Sequence, residues 1–278
     1  MNWIVAKKNI SGNIVKLDIK ASEIAFVREP GHHVIVRITR ESEPLPMVIA
    51  RVNRDRGLIT LFVHKIGSVH RQLANMSVGE ELYNISGPYG VPVNAEKTGT
   101  VLCAAGGVGI APLCPVTEAM KKAGNRVISV IGARTADYLI LDEEIRRFSD
   151  ELIIMTDDGS LGEKGMVTDG MQKIFIRERI NHVITYGPAR MIKHSTILTR
   201  KYSIPLVATL YSMKVDNNGI NGIYRVSVCG ESKYICVDGI DFNAYYPDFD
   251  TMISRMGTRF HDEYSGNQLY MEPQLAIV

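Results

Sequence analysis

The stretch AAGGVGIAPL, residues 104–113, carries the residue types and spacing best suited to hold a phosphate. Gly106, Gly107 and Gly109, with Val108 between them, allow a sharp turn and let backbone approach a ligand with no Cβ in the way. The apolar run TVLCAAGG precedes them, and a helix candidate from Pro112 to about Ala123 follows. A helix start offers unpaired N–H groups and partial positive charge to a diphosphate. Pro112 near that start costs little, because its missing N–H has no intrahelical partner there. The same residues also make a tight strand–helix turn without a ligand; the strand before and the helix after favour the nucleotide. Three further stretches fall where a doubly wound sheet builds its site, at the carboxyl ends of strands. They are Gly132-Ala133-Arg134, Thr156-Asp157-Asp158-Gly159-Ser160 and Tyr186-Gly187-Pro188-Ala189-Arg190-Met191. Arg134 suits a ribose or a phosphate, or is a solvated surface arginine. Asp157 and Asp158 suit ribose hydroxyls, or cap a turn.

The remaining chemistry-bearing residues are sparser. Cys103, Cys114, Cys229 and Cys236 lack the spacing of a disulfide framework, so a reducing, cytoplasmic setting is expected. Cys114 sits near a helix start, where a thiol can be activated; the alternative is an apolar residue packed beneath the glycine loop. The seven histidines form no metal pattern. The adjacent pair His32-His33 reads as barrel surface or edge.

The elements that must position these residues divide the chain in three. Residues 1–96 hold strand-type stretches at 14–21, 32–39, 58–66 and 80–87 with glycine and proline between them, the pattern of a small antiparallel β-barrel. From residue 97 to about 211, apolar strands at 126–133, 151–159 and 182–188 alternate with helical stretches at 141–148, 167–179 and 190–200. That alternation implies an α/β fold, a doubly wound parallel sheet. Residues 212–256 read as a hairpin-rich module, and 257–278 as a polar, aromatic tail. The chain has 278 residues, 45% hydrophobic and 22% charged, with net charge +2. Charge so near balance gives no reason to expect nucleic acid as a partner. No apolar run approaches the ~18–20 residues of a membrane span.

Taken in order, a barrel, Gly-Pro-Tyr-Gly (87–90), GGVGIAP (106–112), GAR (132–134), TDDGSLGEKG (156–165), GPARMIK (187–193) and CVDG (236–239) form a series. The series resembles the ferredoxin–NADP reductase superfamily over residues 1–256. Within it the chain is similar to the small subunit of NADH-dependent ferredoxin:NADP transhydrogenase and to the electron-transfer subunit of dihydroorotate dehydrogenase. The resemblance implies FAD against the barrel, NAD(H) or NADP(H) on the α/β domain, a [2Fe–2S] cluster in the C-terminal module, and a larger flavoprotein or iron–sulfur partner subunit. It assigns Gly106, Gly107, Gly109 and Pro112 to the diphosphate, Thr156 and Asp157 to a second contact, and Gly187 and Pro188 to the nicotinamide end.

Elsewhere the pattern breaks. The family's Arg-x-x-Ser/Thr, which neutralises the flavin diphosphate and hydrogen-bonds the ring, falls on Pro44-Leu45-Pro46-Met47-Val48. No arginine stands there, and Val48 replaces the hydroxyl. The second phosphate stretch, Gly67-Ser68-Val69-His70-Arg71, has altered spacing, whereas Gly87, Pro88 and Gly90 match. A [2Fe–2S] cluster needs four protein ligands. Asp216 and Cys236 match ligand positions, but Asn221 and Tyr224 occupy the other two, so counting leaves the module metal-free. Two functions follow as expectations: an NAD(P)H-dependent flavin oxidoreductase subunit that transfers hydride to flavin, or a redox-inactive structural or nucleotide-sensing subunit on the same scaffold.

Overall fold

The computed structural model describes residues 2–65 and 67–210, and the backbone of three short strands at 225–228, 231–234 and 241–243. The cluster positions Asp216, Asn221, Tyr224 and Cys236, and the 257–278 tail, lie outside the described residues.

The chain opens with β1 (Asn2–Asn9), β2 (Ile14–Lys20), α1 (Ser22–Val27), β3 (His33–Arg37), β4 (Leu45–Val48), β5 (Arg51–Asn53), β6 (Leu58–His64), α2 (Gly67–Asn75), β7 (Glu81–Leu82) and β8 (Asn84–Tyr89). These strands make two antiparallel sheets, ordered β5-β6-β2-β1-β7 and β4-β3-β8, which face one another as a barrel. The period-2 pattern of β2 seats Val15, Leu17 and Ile19 in the barrel core and turns Lys16, Asp18 and Lys20 outward. Strand β6 lacks that alternation for a physical reason. Leu61 and Val63 face the barrel core, while Phe62 packs into a second core shared with the parallel sheet, so both faces are covered.

The second half runs β9 (Thr100–Gly106), a 3₁₀ turn at Gly107–Gly109, α3 (Ile110–Lys122), β10 (Arg126–Ala133), a 3₁₀ turn at Ala136–Tyr138, α4 (Asp142–Phe148), β11 (Glu151–Thr156), β12 (Glu163–Lys164), α5 (Val167–Arg177), β13 (His182–Gly187), α6 (Ala189–Lys201) and β14 (Leu206–Leu210). The strands β15 (Arg225–Val228) and β16 (Glu231–Tyr234) form a hairpin, and β17 (Asp241–Asn243) adds antiparallel to β14. The large sheet is ordered β12-β11-β10-β9-β13-β14-β17 and is parallel from β12 to β14. Helices α3 and α4 cover one face and α5 and α6 the other. Apolar side chains on both faces of β9 and β10 are what such double coverage requires. Helix α5 shows the complementary pattern, burying Val167, Met171, Ile174 and Phe175 on one stripe. Its first turn is closed by Asp169 Oδ2, which accepts from the Met166 N–H at 2.7 Å.

Helix α1 and helix α2 are absent from the sequence reading. Each is short, six and nine residues, below the length at which a periodic stripe separates a helix from a loop. One expectation is overturned. His33, read as barrel surface or edge, is fully buried, because β3 is the middle strand of its sheet, paired to both β4 and β8. Its two ring nitrogens have no hydrogen-bond partner among the described residues.

Burial, with His32 alongside, pushes the His33 pKa from 6.5 down to about 4. The folded state holds the neutral ring, whereas the unfolded chain binds the proton below pH 6.5. The residue's contribution is therefore fully present above pH 6.5, and about 3 kcal/mol is lost as pH falls toward 4. Urea unfolding between pH 7 and 4 should show this decline, and His33→Phe should flatten it. An equal slope in both proteins would place the acid sensitivity elsewhere.

Candidate nucleotide and flavin site

The site begins with the strand order. Strand β9 lies at the centre, with β10 on one side and β13 on the other. The chain leaving β9 enters α3 on one face, and the chain leaving β13 enters α6 on the opposite face. Between them, at the carboxyl ends, a doubly wound sheet opens its ligand crevice. Gly106 and Gly107 form one lip and Gly187 and Pro188 the other, so these separated motifs are brought together.

Each glycine answers a different demand. Gly107 turns the chain with φ +57°, and a Cβ there would meet nothing within 4 Å. Gly109 is a close-packing residue: a Cβ would stand 2.6 Å from the Tyr186 carbonyl oxygen. Gly106 and Gly187 both lie under Met191, whose Sδ would be 2.7 Å from a Cβ at either position. Val108 sits half-buried between them. Pro112 is buried in the first turn of α3, which carries no acidic side chain to compete with an anionic ligand.

Near the end of β10 stands Gly132, packed so tightly that a Cβ would lie 2.7 Å from Val167 Cγ2. Arg134 lies just beyond the carboxyl end of this strand and is exposed. The Asp157 and Asp158 N–H groups donate to the Ala133 and Arg134 carbonyls at 3.1 and 3.3 Å, which draws the two loops together. The two aspartates then differ. Asp158 accepts from the Ser160 N–H at 2.9 Å and from its hydroxyl at 2.6 Å, and these bonds hold its carboxyl below the usual range. Asp157 makes no carboxylate hydrogen bond among the described residues. Burial pushes its pKa up, against the pull of Arg134. Thr156 is buried, and its hydroxyl closes the following turn by donating to the Leu161 carbonyl at 2.8 Å. What Thr156 offers a ligand is therefore the loop it shapes, not its hydroxyl.

On the barrel side, Pro46 and Val48 are buried in β4. Val48 is 6% exposed and packs in one cluster with Ala104, Ala189 and Ile192 of the parallel-sheet half. Gly67, with φ +77°, starts α2, and Ser68 lies exposed in its first turn. Gly87 and Gly90 lie against His33; a Cβ on either would be 3.1 Å from a His33 atom. Pro88 follows Gly87 within β8, and Gly90 lies just past the strand's end. Cys114 faces the seam between the halves, and burial pushes its thiol up to about 11 although Arg51 opposes this. It is an apolar, protonated residue beneath the loop and not an activated thiol.

The seam itself was missed by sequence reasoning. Arg51 Nη2 pairs with Glu144 Oε1 at 2.8 Å, and Asn13 Nδ2 donates to the Tyr138 hydroxyl at 2.6 Å. Arg28 is buried there with its Nη2 donating to the Ile49 carbonyl at 2.6 Å. An arginine just before Glu-Pro-Gly reads as an ordinary loop charge, and no local signal marks it as internal.

A glycine cradle at the switch point of a doubly wound sheet, behind an antiparallel barrel, defines a dinucleotide-binding oxidoreductase of the ferredoxin–NADP reductase type. Residues 104–196 match the oxidoreductase NAD-binding domain family. The chain belongs to the family of dihydroorotate dehydrogenase B electron transfer subunits and their homologues. It is 36% identical over 256 residues to the electron transfer subunit homologue of Thermotoga maritima, covering 92% of this chain and 90% of that one. It is 33% identical over 199 residues to the electron transfer subunit of a Geobacillus species, covering 68% of this chain and 75% of the relative. Among solved structures it is similar to a chain of NADH-dependent reduced ferredoxin–NADP oxidoreductase, studied for flavin-based electron bifurcation. That match has a TM-score of 0.86 at 34% identity and covers 95% of this chain and 96% of the other. The FAD/NAD-binding domain of nitric oxide dioxygenase from Vibrio cholerae shares the fold at 15% identity and TM-score 0.59, covering 76% and 98%.

The residues present fit a dinucleotide: the cradle is sealed below Gly109 and open above Gly107. For a flavin, the helix start at Gly67-Ser68 and the glycines at 87 and 90 suit a diphosphate and a flat ring. Pro44 and Val48 provide neither charge nor hydrogen bond on β4. No helix among the described residues is long and apolar enough to cross a membrane.

Proposed function

We propose that this chain is the electron-transfer subunit of an oxidoreductase complex, with NAD(H) in the β9/β13 crevice and FAD at the barrel edge facing it. The pairing of Gly106-Gly107 with Gly187-Pro188 across the switch point carries this reading. The first turn of α3 would hold the diphosphate, and the Gly187-Pro188 lip the nicotinamide. Bound FAD supplies the capacity to accept a hydride; the chain's residues bind, orient and exclude water. NAD(H) is preferred to NADP(H) because the relatives are named as electron transfer subunits of dihydroorotate dehydrogenase B (NAD(+)). Arg134 then serves the diphosphate or ribose from the adjoining loop.

The division into 1–96, 97–211, 212–256 and 257–278 gives the units of this function: flavin barrel, nucleotide domain, former cluster module and tail. With Asn221 and Tyr224 at two of four ligand positions, the chain works without a [2Fe–2S] cluster. Electrons pass to a larger flavoprotein or iron–sulfur partner directly from flavin. The full chain should bind NADH in calorimetry, show flavin absorption in the visible, and contain no iron. Absence of heat with both pyridine nucleotides sinks the reading. The losses at Pro44 and Val48 favour a second reading, a nucleotide-sensing subunit that braces a complex; a colourless protein that still binds NADH supports it.

A further inference from the structure

Arg28 is 6% exposed and makes no ion pair among the described residues. Its Nη2 donates to one neutral acceptor, the Ile49 carbonyl, and its Nε is buried without a partner. The nearest cation, Arg54, is spent on the Arg28 carbonyl at 3.0 Å, and Glu118 of α3 is paired with Lys122 at 2.6 Å. Burial first, and Arg54 second, lower the guanidinium's pKa to about 10, so it stays charged at neutral pH. A buried cation with one neutral acceptor carries a large, uncompensated desolvation penalty. Such a group calls for negative charge nearby.

Its surroundings say where that charge arises. Ile49 directly follows Val48, at the end of β4 nearest the parallel sheet. Val48 and Ala50, on either side of Ile49, pack into the two clusters that hold Ala104 and Ala189, and Cys114 and Tyr186, of the parallel-sheet half. Arg28 thus stands where the barrel's flavin edge meets the dinucleotide crevice. A hydride carries two electrons and one proton, so its acceptor gains one unit of negative charge as the nicotinamide gains one of positive. The barrel strand that lines this place has no arginine and no hydroxyl to answer that charge.

We propose that Arg28 sets the redox potential of the bound flavin by stabilising the negative charge of its reduced form. This rests on FAD binding at the barrel edge. The full chain, carrying FAD, is equilibrated with a redox dye, and the ratio of reduced to oxidised flavin is read at fixed dye potential. In Arg28→Met and Arg28→Gln that ratio falls about tenfold, a shift of about 30 mV to more negative potential for a two-electron couple. Arg28→Lys keeps the charge and stays within about threefold of the parent, half of that shift on a logarithmic scale. An unchanged ratio in Met and Gln variants of parental flavin content and melting temperature overturns the proposal. Failure of both variants to fold also overturns it, because Arg28 is then a strut for the Ile49 carbonyl. A parent chain that takes up no flavin sinks the functional reading itself, and is told apart by its spectrum before any variant is made.

Discussion

Gly109→Ala is expected to weaken NADH binding by about a hundredfold and to lower the melting temperature. The alanine methyl would stand 2.6 Å from the Tyr186 carbonyl oxygen and 3.2 Å from Gly187 Cα. Both are backbone atoms of the parallel strand β13, so neither can swing aside as a side chain would. The start of α3 must lift off β13, and overpacking of this kind costs about 3 kcal/mol. At 1.4 kcal/mol per tenfold, that corresponds to roughly two powers of ten in affinity if the loop must return to the parental position to bind. Gly107→Ala makes a sharp control. Its methyl meets no atom, but φ of +57° costs about 1 kcal/mol in an alanine, and the methyl would enter the crevice. That variant should melt near the parent yet bind NADH poorly. Calorimetry showing parental affinity for Gly109→Ala would remove the cradle from the binding site.

Asn125→Ala is expected to cost about 4 kcal/mol of unfolding free energy, without touching the nucleotide site. Asn125 is 3% exposed and makes four backbone contacts at once. Its Oδ1 accepts from the Thr98 and Gly99 N–H groups at 2.7 and 3.1 Å. Its Nδ2 donates to the Glu96 and Met120 carbonyls at 2.8 and 3.0 Å. The residue therefore sews the segment that leads into β9 onto the end of α3. Removing it strands buried backbone groups that water reaches poorly, at about 1–3 kcal/mol each for those left unsatisfied. Asn125→Asp keeps the acceptor and loses both donors, so it should fall between the parent and alanine. Urea denaturation that places the alanine variant within about 1 kcal/mol of the parent would show that solvent replaces these bonds.

Much of the architecture was legible along the chain, because its signals are local. A buried strand needs an apolar run, a helix needs a stripe at 3.6 spacing, and a strand-to-helix turn that receives a diphosphate needs glycine. GGVGIAP, GAR, TDDGS and GPAR therefore stood in the order that a doubly wound sheet demands, and α3, α5, β10 and β13 fell within a few residues of expectation. The sequence by itself also shows Asn221 and Tyr224, not cysteine, where the resemblance implies cluster ligands, and Pro44 and Val48 where it implies an arginine and a hydroxyl.

The tertiary structure decided what each candidate is free to do. Asp157 and Asp158 are neighbours in sequence, yet one caps its own turn and the other makes no carboxylate hydrogen bond among the described residues. Thr156 spends its hydroxyl on Leu161, Cys114 is held protonated, and His33 is drawn from an expected surface into a sheet centre. Arg28 and Asn125 acquire their importance from partners 21 and 29 residues away along the chain. Burial, desolvation and long-range hydrogen bonding depend on which surfaces close over a residue. That closure is set by the packing of barrel against sheet, and it leaves no periodic trace in the order of amino acids.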